Sequence, residues 1–158
     1  MLKALAELFD RTLGGARPDE EDAAAARSHA VRVATALLLI EVERADFSED
    51  LTERDETFRS LKAFFELTDE EAALLIEEAR AEADHAASLH AFTRRLHETL
   101  TVDEKHAVVE MLWKVALADD RLDKHEDHIV RKIADLLYVS HADLIRIRNR
   151  VKAQTAGR

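Results

Sequence analysis

Apolar residues recur along most of the chain at the three- and four-residue spacing of amphipathic helices. One stretch, Val33 to Val42, is apolar on nearly every side, which predicts a helix at the centre of a helical bundle. We expect about eight helices joined by short connections. The stripes are Leu2, Leu5, Leu8 and Phe9; Phe58, Leu61 and Phe65; Leu89, Phe92 and Leu96; Val108, Leu112 and Val115; Ile129, Ile133, Leu136 and Leu137; and Leu144, Ile147 and Val151.

Helix starts are marked by one recurring pattern, a capping residue followed three positions later by an acid. The pattern occurs at Asp50 with Glu53, Thr68 with Glu71, Thr101 with Glu104 and Asp123 with Glu126, and more loosely at Ser140 with Asp143. Each pair resembles a capping box, in which two side chains satisfy the amides left open at a helix N-terminus. We expect an N-terminal amphipathic helix and linker over residues 1–17, followed by a single domain over residues 18–158.

Composition supports an all-α protein of the soluble class. The 158 residues include only three glycines and one proline, too few turn formers for many hairpins, and no cysteine. Residues 1–100 hold 23 acids and 12 bases, whereas residues 101–158 hold 10 acids and 11 bases. A net charge of −10 disfavours nucleic acid and favours cations or a basic partner. Without a secretory signal at the N-terminus, we expect the protein in the cytoplasm or at the inner face of the membrane.

The chain contains an internal repeat. Ala45-Asp46-x-x-x-Asp50-x-x-Glu53 aligns without a gap with Ala118-Asp119-x-x-x-Asp123-x-x-Glu126. After a one-residue deletion in the second copy, Phe64-Phe65-Glu66-Leu67-Thr68 aligns with Leu136-Leu137-Tyr138-Val139-Ser140. Two units, over residues 30–80 and 102–152, predict an internal helical duplication around a pseudo-twofold axis, because an open solenoid needs three or more repeats.

These paired turns resemble the tellurite-resistance TerB-like family. Support comes from Phe92-Thr93-Arg94-Arg95-Leu96, Leu112-Trp113-Lys114-Val115-Ala116 and Arg131-Lys132-Ile133-Ala134-Asp135-Leu136-Leu137, within a resemblance that spans about residues 30–151. It implies an all-helical, TerB-like protein without enzymatic activity that gathers acids on one face and acts in metal-stress or membrane-associated complexes. The family usually has glycine after the first turn aspartate, where this chain has Phe47 and Asp120. We therefore expect the first loop to be reshaped.

The acids of the two turns are the candidate metal ligands. If the pseudo-twofold axis brings the turns together, six carboxylates converge, and hard cations such as calcium and magnesium prefer oxygen ligands. The alternatives are that the same acids serve as helix caps, or that they form a docking surface for a basic protein partner. The six residues are Asp46, Asp50, Glu53, Asp119, Asp123 and Glu126.

Other candidate chemistry is weaker. His125 and His128 share a helix face and would suit zinc together with Asp123 or Glu126, but we favour calcium or magnesium over zinc. We expect Trp113 to be a core anchor. The chain offers no nucleophile elbow, glycine-rich phosphate loop or thiol, so we expect a non-enzyme with no catalytic residues. The sequence leaves the oligomeric state open.

Overall fold

The computed structural model describes residues 20–45, 51–85, 89–119 and 121–156, and these residues form seven α-helices and no β-strand. The predicted all-α class and bundle are therefore confirmed. The expected helix within residues 1–17 lies outside the described residues. The helices are α1 (Glu20–Ala45), α2 (Leu51–Phe64), α3 (Asp69–His85), α4 (Leu89–Thr99), α5 (Val102–Ala116), α6 (Lys124–Leu136) and α7 (His141–Ala156).

Helix α1 lies at the centre of the bundle, as its apolar sequence predicts. It packs against α2, α3, α4, α5 and α6. Every residue from Val33 to Ile40 is buried, and the one hydroxyl in this run, on Thr35, donates to the carbonyl of Val31 at 2.8 Å. Burying that hydroxyl therefore leaves no donor unsatisfied. The apolar side chains of α1 form the middle of the core.

Among the described residues, one helical segment, Glu21–Ala45, is long and apolar enough to cross a membrane, judged by length and composition alone. Its most apolar window has a mean hydropathy of 1.3, and half of that window is buried inside the fold. A central bundle helix has the same properties, because it must be apolar on several faces at once. Packing against five neighbouring helices accounts for the hydropathy of α1.

The internal duplication is visible in how the helices pack. Helices α1 to α3 form the first unit and α5 to α7 the second, with α4 between them. In each unit the first helix packs on the third and on the second. Between units, α1 packs on α6 and α2 packs on α5, while α1 and α5 contact each other. Interchanging the two units converts the contact between α1 and α6 into the contact between α2 and α5. A pseudo-twofold axis requires this equivalence.

The two units also end their second helices in the same way. Glu66 and Tyr138 have φ values of 54° and 60°, in the left-handed region. The amides of the next residues, Leu67 and Val139, each donate at 2.9 Å to the carbonyl five residues earlier. This is a Schellman turn, in which a left-handed residue lets the chain reverse while the last carbonyls of the helix stay bonded. Leu67 and Val139 are both buried, so each turn is fixed to the core.

Most of the predicted helix starts are confirmed. Two complete capping boxes form at Thr68 with Glu71 and at Thr101 with Glu104, with both reciprocal bonds between 2.9 and 3.2 Å. Ser140 accepts from the amide of the third residue of α7 at 3.2 Å, as the looser pattern predicts. The predicted box that begins at Asp50 lies outside the described residues. The starts of α3, α5 and α7 are therefore set by local side-chain chemistry.

The predicted apolar stripes line the core. Trp113 is fully buried on α5, which confirms it as a core anchor. Each of the five described helices that carry a predicted stripe, α2, α4, α5, α6 and α7, buries at least one residue of that stripe. The buried stripe residues are Leu61, Leu96, Val108, Leu112, Val115, Ile133, Leu137, Leu144, Ile147 and Val151, and the predicted α1 segment is buried beside them. One continuous core thus joins both units.

Candidate cation site at the acidic turns

The second acidic turn joins α5 to α6, and two of its predicted ligands are held by backbone amides. Asp119 Oδ1 accepts from the amide of Arg121 at 3.0 Å, which closes a local Asx turn. Asp123 is the N-cap of α6, with extended backbone angles, and its Oδ1 accepts from the amide of His125 at 2.7 Å. The interpretation of these acids as turn and cap residues is therefore correct for both. The bonds also fix where each carboxylate lies.

The third acid of each motif is buried. Glu53 is 1% exposed and Glu126 is 0% exposed, and each is the third residue of its helix, α2 or α6. Carboxylates are almost never fully buried unless they are paired, hydrogen-bonded or bound to a metal. Both glutamates do take part in polar or electrostatic interactions of the folded chain. Their burial at positions related by the duplication marks them as more than solvated surface acids.

Only one half of the predicted capping box at Asp123 is observed among the described residues. The Asp123 side chain caps the helix, but the cap at this terminus lacks the reciprocal bond seen at Thr68 and Thr101. The reason is packing: Glu126 lies in the interior of the bundle, whereas Glu71 and Glu104 lie on its surface. The repeat therefore places an acid inside the protein where a plain capping box would place it outside.

The convergence of all six acids stays a prediction. Asp46 and Asp50, together with Phe47 and Asp120, lie outside the described residues. Across residues 20–45, 51–85, 89–119 and 121–156, no three histidine, aspartate or glutamate side chains are grouped so that they would hold a metal ion. In this arrangement His125 and His128 therefore do not gather around a zinc position with Asp123 or Glu126.

The donor set fits a hard cation only if more than the described ligands contribute. Calcium takes six to eight oxygen ligands, and magnesium takes about six including water. The described acids of the second turn are Asp119, Asp123 and Glu126, and two of them already accept backbone hydrogen bonds. A complete site would need oxygens from residues 46–50, from residue 120, or from water. All of these donors are oxygens, which suits calcium or magnesium better than zinc.

Comparison with known proteins decides the family. A sequence-family model described as tellurite resistance protein TerB matches residues 32–149, about three quarters of the chain. The chain belongs to the TerB family. The match begins in α1 and ends in α7, so it includes both units of the TerB fold and both acidic turns. No curated protein and no solved structure matches this TerB-family chain.

A ladder of ion pairs between α1 and α3 was not predicted from the sequence. Arg80 donates to the buried carboxylate of Glu43 at 3.0 Å, and His29 contacts the buried carboxylate of Glu78 at 2.9 Å. The sequence does contain a signal for these two contacts, because Glu43 and Glu78 interrupt the apolar sides of their helices. Their partners lie 37 and 49 residues away in sequence, beyond the reach of helical periodicity. The ladder holds the two longest helices of the first unit in register.

Proposed function

We propose that this TerB-family protein is a non-enzymatic domain that binds a divalent cation, calcium or magnesium, through its two acidic turns. The observation that carries the proposal is the burial of Glu53 and Glu126 at matching positions of the duplication. Each lies three residues after a turn aspartate in the sequence, Asp50 or Asp123, and in the second unit the buried Glu126 follows the half-buried Asp123. A cation held between them would offset the repulsion among these acids.

The geometry of the second turn supports this proposal further. Asp119 and Asp123 are both only half-buried, and backbone amides of Arg121 and His125 fix their positions. A ligand that is fixed before binding loses less conformational entropy when the cation arrives. We further propose that the protein acts in the cytoplasm or at the inner face of the membrane. The family resemblance implies that it does so within a metal-stress or membrane-associated complex.

The test compares thermal unfolding of the wild type with that of Asp119→Asn/Asp123→Asn, with and without calcium, magnesium, manganese and zinc. Asparagine is as good an N-cap as aspartate and closes the same Asx turn, so the double variant should keep its stability in metal-free buffer. It loses two anionic ligands. A cation at about a hundred times its dissociation constant adds roughly 2.7 kcal/mol to the wild type, or about 5–10 °C.

The matched control is Glu71→Gln/Glu104→Gln, which removes two acids from capping boxes outside the turns. A cation shift retained by this control and lost by the Asp119/Asp123 variant would support the proposal. A flat response of the wild type to all four metals, or an equal shift in the double variant, would contradict it. Calorimetric titration of the same three proteins would then give the stoichiometry for any ion that responds.

A second candidate function is that of an adaptor for a basic protein partner, and the exposed face of α3 favours it. Leu74 is 65% exposed on α3, and the exposed acids Glu70 and Glu77 lie one turn on either side of it. An exposed leucine between carboxylates provides an apolar contact with a surrounding charge that selects basic partners. In this function the turn acids serve as helix caps.

The adaptor is tested by affinity capture from cell extract at low and high salt. A basic partner should be retained by the wild type at low salt and lost from Glu70→Gln/Glu77→Gln, while Glu98→Gln/Asp103→Asn, which removes two acids from α4 and α5, should retain it. Equal capture by both double variants would refute a role for the α3 face. Metal-independent capture would separate the adaptor from the cation site.

A further inference from the structure

A groove of about 490 Å³ lies between α6 and the first turn of α7, and none of the six candidate cation ligands lines it. Helix α6 lines it with His128, Arg131, Lys132 and Asp135, which share one helical face because they lie three or four residues apart. Helix α7 adds His141 from its first turn. In a chain of net charge −10, this groove has two permanent cations, two imidazoles and one carboxylate. Its volume is in the range of small-molecule sites.

The cationic groups of the groove are available to a ligand. Arg131 Nε donates to Asp127 Oδ2 at 2.7 Å, which fixes the guanidinium, and its two terminal nitrogens bond no other described residue. Lys132 is exposed and makes no ion pair or hydrogen bond within the part of the chain that the structure describes. The same is true of His128 and His141.

The start of α7 adds a partial positive charge at the same place. The first amides of a helix have no intrahelical acceptor, and aligned peptide dipoles make this end electropositive. In α7 the amide of Asp143 is bonded to Ser140 Oγ and that of Leu144 to the Ser140 carbonyl. The amides of His141 and Ala142 precede these two. A helix N-terminus beside an arginine and a lysine is the usual setting of phosphate groups in proteins.

We propose that this groove binds the phosphate group of a phosphomonoester. Arg131 would hold two phosphate oxygens with its fixed fork, Lys132 would supply a point charge, and the α7 amides would bind the remaining oxygen. The carboxylate of Asp135 repels the anion and so lowers its affinity. Removing that charge should therefore strengthen binding, which provides a control with an effect of opposite sign. The inference is independent of the cation site, because no groove residue belongs to the acidic turns.

The test is an amide NMR titration of the full chain with glycerol 3-phosphate at constant ionic strength, with chloride as the control anion. We expect saturable shifts centred on residues 128–144. Lys132→Gln should weaken binding about tenfold, the loss expected for one charge-assisted hydrogen bond. Asp135→Asn should tighten binding. Lys152→Gln removes the same charge from the exposed end of α7, outside the groove, and should leave the affinity within about twofold, since salt screens distant charges.

A second arm separates a soluble ligand from a lipid headgroup. The protein is sedimented with phosphatidylcholine vesicles containing phosphatidic acid, with and without excess glycerol 3-phosphate. Groove binding without sedimentation supports a soluble phosphomonoester, and sedimentation that Lys132→Gln abolishes supports a lipid headgroup. Equal losses in Lys132→Gln and Lys152→Gln would overturn the proposal, because binding would then follow net charge alone. Shifts spread over the whole chain, or no binding in either arm, would overturn it too.

Discussion

Two exposed residues, Glu66 and Tyr138, hold left-handed backbone conformations at the same position of the duplicated turn. A residue with a Cβ atom pays about 1–2 kcal/mol for this conformation, and glycine does not. Glycine also gives the unfolded chain more conformational freedom, which lowers the free energy of unfolding by about 0.5–1 kcal/mol. We therefore expect Glu66→Gly to raise the free energy of unfolding by about 0.5–1 kcal/mol, or the Tm by about 1–4 °C.

The duplication supplies an internal comparison for this prediction. The ring of Tyr138 packs on that of His97 with centroids 4.4 Å apart, a contact worth about 0.5–1.5 kcal/mol between aromatic rings. Tyr138→Gly loses that contact while it relieves the same backbone strain. We expect Tyr138→Gly to leave stability close to that of the wild type, although the backbone change is the same as at Glu66.

Urea unfolding followed by circular dichroism measures both effects, since a shift of the midpoint at constant slope is a change of stability. The matched control is Glu66→Ala, which removes the same carboxylate but keeps the Cβ atom. Glu66→Gly should be more stable than Glu66→Ala by about 1 kcal/mol. If glycine and alanine give the same midpoint, the left-handed conformation carries no cost at this turn and the reasoning fails.

Asp123→Ala should lower the free energy of unfolding by about 1 kcal/mol, whereas Asp123→Asn should not, because asparagine keeps the cap of α6. Equal losses of stability in urea unfolding would show that the charge of Asp123, and not its capping, stabilises the helix. Arg80→Met leaves the buried carboxylate of Glu43 without its cation and should lower the free energy of unfolding by about 3 kcal/mol or more. Arg80→Met/Glu43→Leu should recover most of that loss. A double variant as unstable as the single one would show that the packing of Arg80, and not its charge, stabilises the fold. The Ser140 hydrogen bond, followed by that of Arg146, holds the pKa of Asp143 below its ordinary value. A carboxyl whose folded pKa is lowered adds stability at pH values above its unfolded pKa, and that contribution is lost as the pH falls through the folded pKa. Ser140→Ala should therefore raise the pKa of Asp143 in an NMR titration and reduce the stability gained on going from acid to neutral pH; an unchanged pKa would refute the assigned cause.

Local features of this fold were predictable because their causes are local. Helical spacing places Val108, Leu112 and Val115 on one side of α5 whatever surrounds it, and the hydroxyl of Thr68 or Thr101 caps a helix through bonds within four residues. The alignment of the two units also paired Glu66 with Tyr138. Both are left-handed in the structure, so the repeat extends to backbone conformation.

The candidate site was less predictable because its decisive feature depends on tertiary packing. Glu71 and Glu126 occupy the same position in the same sequence pattern, yet Glu71 lies on the surface and Glu126 is buried. The two motifs differ in their capping residue, Thr68 or Asp123, but the burial of the glutamate is decided by the helices that cover it. The groove between α6 and α7 is a similar case. The shared face of His128, Arg131 and Lys132 could be seen in the sequence, but not the arrival of α7 beside it.

The packing of α1 on α6 and of α2 on α5 resembles that of a domain-swapped dimer whose two copies are joined in one polypeptide. Each unit covers the first helix of the other with its own second helix, so neither unit encloses its apolar side chains alone. Separating the chain between α3 and α5 would expose the interior of both pieces. Two copies of a single unit would need to meet in solution to form these contacts. By joining the copies in one chain, the duplication makes their association independent of protein concentration, and the two units must unfold together in a single transition.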